Sequence, residues 1–215
     1  MGILKNGPNG EVTGRLGNLV HYNLNGQNIV RRIGKSSKPP TLPQLSARMA
    51  NKISGKILKS LKQFIQAGLE LEAIGTNKNA FNIAVEINRN KMIKGVYPDL
   101  EIDYPKLELS RGILKPGSDL QASLTDEAIV FTWAADPKME WKEASDLVMM
   151  LAYFPEQDRT LCKIGGNARS TGTDQLLLPP SLKNKYAELY IAFAAADRKQ
   201  VSDSTYLGSL NLING

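Results

Sequence analysis

Arg31-Arg32-Ile33-Gly34-Lys35, followed by Lys38-Pro39-Pro40-Thr41-Leu42-Pro43-Gln44, leads into an apolar periodicity that runs to Leu71. Thr41 and Gln44 have the spacing of a capping box, in which the Thr hydroxyl accepts a hydrogen bond from the N–H three residues on and the Gln side chain reaches back. Pro43 falls in the first turn, where its missing N–H costs nothing. The spacing predicts a helix starting at about Leu42. At about 100° per residue, Arg48, Lys52, Lys56, Lys59 and Lys62 gather on one face. Met49, Ile53, Ile57, Leu58, Leu61, Phe64 and Ile65 fill the opposite half, with Ala50 and Ser54 between. One face is suited to burial, the other to water or an anionic partner.

Upstream, Met1 to Gly10 holds three glycines, two asparagines and a proline, which reads as a loop or extended arm. Val12 to Leu24 and Gln27 to Arg32 are β-prone runs on either side of Asn25-Gly26. Asn-Gly between two such runs signals a hairpin, because a type I′ turn needs φ > 0 at both central residues. Alternation puts Val20, Tyr22 and Leu24 on one face and Leu19, His21 and Asn23 on the other. An isolated hairpin is only marginally stable in water, so this one is expected to pack on another element or another chain.

Downstream, Thr76 is placed to cap a second helix over roughly 77–94, with Phe81, Ala84, Val85, Asn88 and Met92 on one side, until Gly95-Val96-Tyr97-Pro98 breaks it. From Asp103 the pattern becomes that of short strands: 107–109, 120–124, 128–133, 147–153, 159–164, 174–178, 188–194 and 206–212. Lys115-Pro116-Gly117, Asp136-Pro137, Gly165-Gly166-Asn167 and Pro179-Pro180 punctuate them. Ile129, Phe131 and Trp133 on an early strand, with Tyr190 and Ala192 on a late one, fit a common core. The fold class expected is α+β. A glycine-rich arm and β-hairpin (1–40) and a two-helix segment (41–102) precede an antiparallel immunoglobulin-like β-sandwich (103–215).

The 215 residues suffice for one large or two modest domains with a sizeable core. The net charge of +6 is unevenly spread. Residues 1–62 carry 11 Lys and Arg against Glu11 alone, a balance of +10, and the rest of the chain balances at −4. Such asymmetry suits a basic segment that meets nucleic acid, an acidic membrane or an acidic protein surface, and equally a solvated helix face. No apolar run approaches the length of a bilayer span, and the first residues have no signal-like apolar region. Met1-Gly2 lacks the Ser or Thr at position 6 that myristoylation prefers, having Asn6 there. Cys162 is the single cysteine, so no intrachain disulfide forms and a reducing compartment is the simpler expectation.

Three resemblances attach to these residues. Trp133, the run Leu189-Tyr190-Ile191-Ala192-Phe193-Ala194 and the terminal Val201-Ser202-Asp203-Ser204-Thr205-Tyr206 make the C-terminal half resemble a fibronectin type III or related immunoglobulin-like module. The whole chain resembles an uncharacterised bacterial domain family of unknown function. The carriers are Gly2-Ile3-Leu4-Lys5-Asn6-Gly7-Pro8-Asn9-Gly10, Gly14-Arg15-Leu16-Gly17-Asn18-Leu19-Val20, the Asn-Gly turn, Val30-Arg31, and Pro40-Thr41 with Gln44 and Arg48. Its first 50 residues, with a Pro-x-Thr-x-x-Gln-x-x-x-Arg helix start, are similar to small phage-encoded proteins of structural type. These likenesses imply assembly by analogy and supply no activity or site.

Catalytic groups do not converge in the sequence. His21, the single histidine, lies on a hairpin strand, where a surface or interface role outweighs that of a general base. Cys162 beside Lys163 has one feature of a reactive thiol, yet a packed strand residue is the simpler reading. Metal-ligand spacings of the Cys-x-x-Cys or His-x-x-x-His kind are missing. Gly34-Lys35-Ser36 lacks the upstream P-loop glycine, since Ile29 stands there. Gly165-Gly166-Asn167 with Arg169-Ser170 reads as a turn before a phosphate cradle, and Asp99, Glu101 and Asp103 as a solvated strand before a cation site.

The function expected is therefore non-enzymatic and free of cofactors and metals. It is that of a structural protein assembling with other copies of itself, or docking on a larger assembly. The assembly hairpin is Val20, Tyr22 and Leu24, and the basic residues Arg31, Arg32, Lys35, Arg48, Lys52, Lys56 and Lys59 meet the partner. The alternative is a nucleic-acid-binding protein using those same cations. No membrane partner is expected, and the chain is expected in the cytoplasm or incorporated in an assembled particle.

Overall fold

A computed structural model of the chain describes residues 2–4, 12–35 and 37–211. Two compact units divide it, Met1–Thr41 and Leu42–Gly215.

The first unit is a four-stranded antiparallel sheet in the order β1-β4-β3-β2, with β1 Gly2–Leu4, β2 Gly14–Leu16, β3 Leu19–Leu24 and β4 Gln27–Arg32. Asn25 and Gly26 both have positive φ, 52° and 78°, as the Asn-Gly turn requires. The Asn23 side chain accepts from the Gly26 N–H at 2.8 Å and closes the turn. The run read as one strand from Val12 to Leu24 is folded back at Gly17-Asn18, where Gly17 takes φ 57°. The hairpin thus gains β2 on one side and β1 on the other from its own chain. The rest of the N-terminal arm, residues 1 and 5–11, lies outside the described residues, as does Ser36.

The second unit has three layers. Its helices are α1 (Leu42–Ser60), α2 (Lys62–Ala73) and α3 (Ala80–Asn88). Helix α1 begins at Leu42, as the capping spacing predicts. The periodicity continues to Leu71, but Leu61 leaves helical geometry (φ −91°, ψ 7°) and separates α1 from α2. The ladder carries across it, Leu61 N–H to Ile57 O and Ile65 N–H to Leu61 O. One buried stripe therefore runs through Ile57, Leu58, Leu61, Phe64, Ile65 and Leu69.

The second helix is shorter than the 77–94 expected. Asn79, not Thr76, caps it, its side chain accepting from the Asn82 N–H at 2.8 Å. Beyond Asn88 the β-branched Ile93 and Val96 enter a hairpin, β5 (Ile93–Val96) and β6 (Asp99–Ile102), in keeping with their weaker helix propensity. Val85, expected on the inner face, is exposed.

Six of the strands expected beyond Leu120 keep close to their limits and β10 is longer: β7 (Gln121–Leu124), β8 (Ala128–Thr132), β9 (Leu147–Phe154), β10 (Arg159–Ala168), β11 (Thr173–Leu177), β12 (Tyr186–Ala194) and β13 (Thr205–Asn211). A short helix α4 (Trp141–Ala144) precedes β9. Two antiparallel sheets result, β10-β9-β12-β13 and β11-β8-β7. They share a core in which Ile129, Phe131 and Trp133 meet Val148, Met150, Leu189, Ile191 and Phe193. Tyr190 and Ala192, read as the partners of that row, point the other way and pack under the helices with Met149 and Leu151. Sheet β10-β9-β12-β13 is thus covered on both faces, which is why β9 and β12 are buried almost end to end.

Leu107–Leu109 is not a strand. Side chains satisfy its backbone instead. Buried Asn88 accepts from the Glu108 N–H and donates to the Glu108 carbonyl, both at 2.8 Å, and the Leu109 N–H donates to Ser204 Oγ at 2.9 Å. Gly68 lets α2 approach this segment, since a Cβ there would lie 2.6 Å from the Leu109 carbonyl.

Candidate functional site

On the N-terminal sheet, Val20 stands directly between Arg15 of β2 and Arg31 of β4, and Tyr22 stands opposite Ile29. Leu19 stands opposite Arg32 and beside Leu16 on the other face. Ile29 is the one buried residue among those described in this unit, whereas Leu16 is 67% and Leu24 54% exposed. Val20 and Tyr22 are half-buried, and Arg31, Arg32 and Lys35 are exposed. His21 is half-buried, and among the described residues its Nε2 has no hydrogen-bond partner.

Helix α1 carries the cations at its predicted spacing, and Arg48, Lys52, Lys56 and Lys59 are all exposed. Among the described residues, Arg48, Lys52 and Lys59 form no ion pair. Lys56 lies 3.6 Å from Asp158 in the β9–β10 turn. Asp158 also accepts from Ser60 Oγ at 2.7 Å and from the Tyr153 hydroxyl at 3.2 Å. These hydrogen bonds and Lys56 hold its carboxyl below the usual range despite partial burial. None of residues 42–56 is buried, although Leu42, Leu45, Met49 and Ile53 continue the apolar stripe, and Leu42 is 70% exposed.

Sequence reasoning did not find a cleft in the second unit. It has a volume of about 690 Å³ and lies where α1, the β5–β6 hairpin and the helix-facing side of β9, β12 and β13 meet. Tyr104, Tyr153, Tyr186 and Tyr206 line it together with Glu188. Glu188 is 2% exposed and stands directly opposite Tyr153 in the strand register. Its carboxylate accepts from the Tyr186 hydroxyl at 2.5 Å and the Tyr206 hydroxyl at 2.6 Å. Burial, reinforced by the Glu188 charge and Tyr186, pushes the Tyr104 phenol up to about 12, so it stays a neutral donor. The one signal in sequence was the tyrosine–glutamate alternation Tyr186, Glu188, Tyr190, but Tyr104 and Tyr153 come from distant segments.

The remaining sequence candidates have structural surroundings. Neighbouring strand residues face opposite ways, so Lys163 cannot act on the Cys162 thiol. Cys162 packs towards the helices, 3.3 Å from Gln63 Oε1, and burial pushes its pKa up. Lys163 reaches the buried Asp174 on the other face at 2.6 Å. Gly165-Gly166-Asn167 is a bulge within β10 whose Asn167 N–H donates to Asp174 at 2.7 Å, so a carboxylate of the chain itself occupies that amide. Glu101 lies 3.8 Å from Lys94 and Asp103 2.7 Å from Lys106. Among the described residues no group of three or more His, Cys, Asp or Glu is arranged to hold a metal ion, and no helix is long and apolar enough to cross a membrane.

A family model described as a family of unknown function, DUF6266, matches residues 11–208. The chain belongs to that family. This agrees with the uncharacterised domain family that the N-terminal motifs resemble, and the match takes in both compact units. No curated protein and no solved structure matches the chain.

Proposed function

We propose that this DUF6266 member is a non-enzymatic structural subunit that assembles with copies of itself, or docks on a larger assembly, through its N-terminal sheet and the basic helix α1. The observation that carries the reading is the amphipathic start of α1. Its apolar stripe Leu42, Leu45, Met49 and Ile53 has no buried member, and the flanking cations are exposed. Leu16, Leu19 and Leu24 add exposed apolar area on the N-terminal sheet. Burying apolar surface of this kind is worth roughly 25 cal/mol per Å², a driving force for association when a partner covers it. In this reading Val20, Tyr22 and Leu24 form the contact strand and Arg31, Arg32, Lys35, Arg48, Lys52, Lys56 and Lys59 meet acidic surface. Lys56 contributes least, being paired with Asp158.

The second unit is, in the same proposal, an immunoglobulin-like sandwich of fibronectin type III character. Its support is the strand order, β11-β8-β7 against β10-β9-β12-β13, with Trp133 closing β8 inside the shared core. The helical layer over the outer face of the larger sheet is an addition to such a module. The likeness of the first 50 residues to phage-encoded structural proteins points in the same direction.

Size-exclusion chromatography with light scattering across a concentration series tests the assembly. The full chain is expected to gain mass with concentration, and Leu42→Asp with Met49→Asp is expected to hold it at monomer mass. A full chain that stays monomeric at every concentration sinks the proposal. Nucleic-acid binding is the second reading, favoured by Arg48, Lys52 and Lys59, which lack ion pairs among the described residues. It requires filter binding at low salt that weakens steeply as salt rises, and no retention at low salt disposes of it.

A further inference from the structure

We infer that the tyrosine-lined cleft around Glu188 is a binding site for an organic cation, an alkylammonium or guanidinium group carried on an aliphatic stem. This goes beyond the assembly reading and does not depend on it.

Glu188 sits almost wholly out of solvent yet, among the described residues, forms no ion pair. Its hydrogen-bond partners are the two phenols of Tyr186 and Tyr206. An ionised carboxylate has about four acceptor positions, so two donors leave it half satisfied. A buried carboxylate ordinarily has a cation beside it, because desolvation is costly without one. Here the same carboxylate lines an open cleft of about 690 Å³, within the range of small-ligand sites. The cations on the wall are engaged elsewhere: Lys56 with Asp158, which lies outside the lining, and Lys94 with Glu101. Among the described residues, Glu188 is left with no cation in ion-pair contact.

The walls suit the same ligand. Tyr153 stands across the strand from Glu188, and its ring lies 6.2 Å from that of Tyr104, tilted by 44°. Aromatic faces attract ammonium and guanidinium groups, more strongly where water is excluded. Ile53, Ile57 and Leu100 supply apolar surface for the stem. The phenols are held protonated by burial, so no phenolate competes for the proton or the cation. An anionic ligand would meet the Glu188 charge, and a neutral one would leave it unpaired.

Nuclear magnetic resonance titration of the full chain tests this with four probes: n-butylammonium, n-butylguanidinium, n-pentanol as a neutral control with an aliphatic stem, and a Gly-Ser peptide carrying one arginine. Saturable shifts of the Tyr153, Tyr186 and Tyr206 ring signals are expected with the cations and not with pentanol. Whichever of the free cations or the peptide binds more tightly identifies the source of the group. Glu188→Gln is expected to weaken cation binding by roughly tenfold or more. If that variant does not fold, Tyr153→Leu serves instead and is expected to weaken binding without removing the carboxylate. Equal shifts with pentanol, unchanged affinity in a folded Glu188→Gln variant, or no ring shift with any cation would overturn the inference. Failure of the assembly reading would leave these outcomes untouched, since each is read on the monomer as well.

Discussion

The two units bury their sequences very differently. Among its described residues the N-terminal sheet has one buried side chain, Ile29, and shows Leu16, Leu19 and Leu24 to solvent. The second unit has two cores on either side of one sheet, so β9 and β12 are packed from both faces. A sheet needs a covered apolar face to be stable in water. Among the described residues, strand pairing, the Asn23 side chain at the turn and the single buried Ile29 define the first unit, whereas extensive packing and buried polar contacts define the second. A strand-paired ribbon with little core is suited to presenting surface; a doubly packed sheet is suited to holding a scaffold rigid.

The sharpest way to break this contrast is a matched pair of truncations. Phe131→Ala, at a fully buried core position, is expected to cost about 3–5 kcal/mol by urea unfolding. Leu16→Ala is expected to stay within about 0.5 kcal/mol of the parent. Similar losses at both sites would erase the distinction. A smaller effect is expected at Gly68, where α2 meets the Leu109 carbonyl: Gly68→Ala places a Cβ 2.6 Å from that oxygen, and the shift it forces is expected to cost about 1–3 kcal/mol.

Two buried carboxylates sharpen the picture of the second unit through pH. At Asp174 burial works to raise the pKa, but Lys163 and the amides of Asn167 and Gln175 outweigh it and hold the group below the ordinary range. Its stabilisation is present in full above the unfolded-chain value and is lost as pH falls through the depressed folded value. Asp174→Asn is expected to cost about 1–3 kcal/mol at neutral pH, and its deficit should narrow on acidification. Asp146 runs the other way. Burial raises its pKa despite Arg169 at 3.4 Å, so the ionised form costs stability above the folded value and protonation relieves that cost. Thermal unfolding of Asp174→Asn and Asp146→Asn from acid to neutral pH should give differences of opposite slope. Parallel profiles would mean that at least one of the two carboxylates is not held as described.

As small an effect on folding as that of Leu16→Ala, less than about 0.5 kcal/mol in unfolding, is expected from Leu19→Asp, a surface change on the N-terminal sheet. Its mass distribution in light scattering should nonetheless shift towards monomer. A fall in stability without a change in mass would make Leu19 a folding residue and not a contact.

Much of this molecule is legible in local pattern. Asn25-Gly26 specified its turn because few other residue pairs accept positive φ twice in succession, and the start of α1 and seven strands followed from spacing and punctuation. Errors arose where two solutions satisfy the same local pattern. Leu107–Leu109 alternates like a strand, but Asn88 and Ser204 reach its amides from elsewhere. Ile93 and Val96 continue a helical count, but a hairpin across from Asp99–Ile102 takes them.

By itself the sequence determined the turns, the helix start, the cationic face and the run of β-strands, because those depend on neighbours within a few residues. Only the tertiary structure decided which face of β12 meets which layer, that Cys162 and Lys163 part company, and that four tyrosines gather round Glu188. Each of those depends on elements tens of residues apart being brought together, and no periodicity within one segment records what lies on its far side.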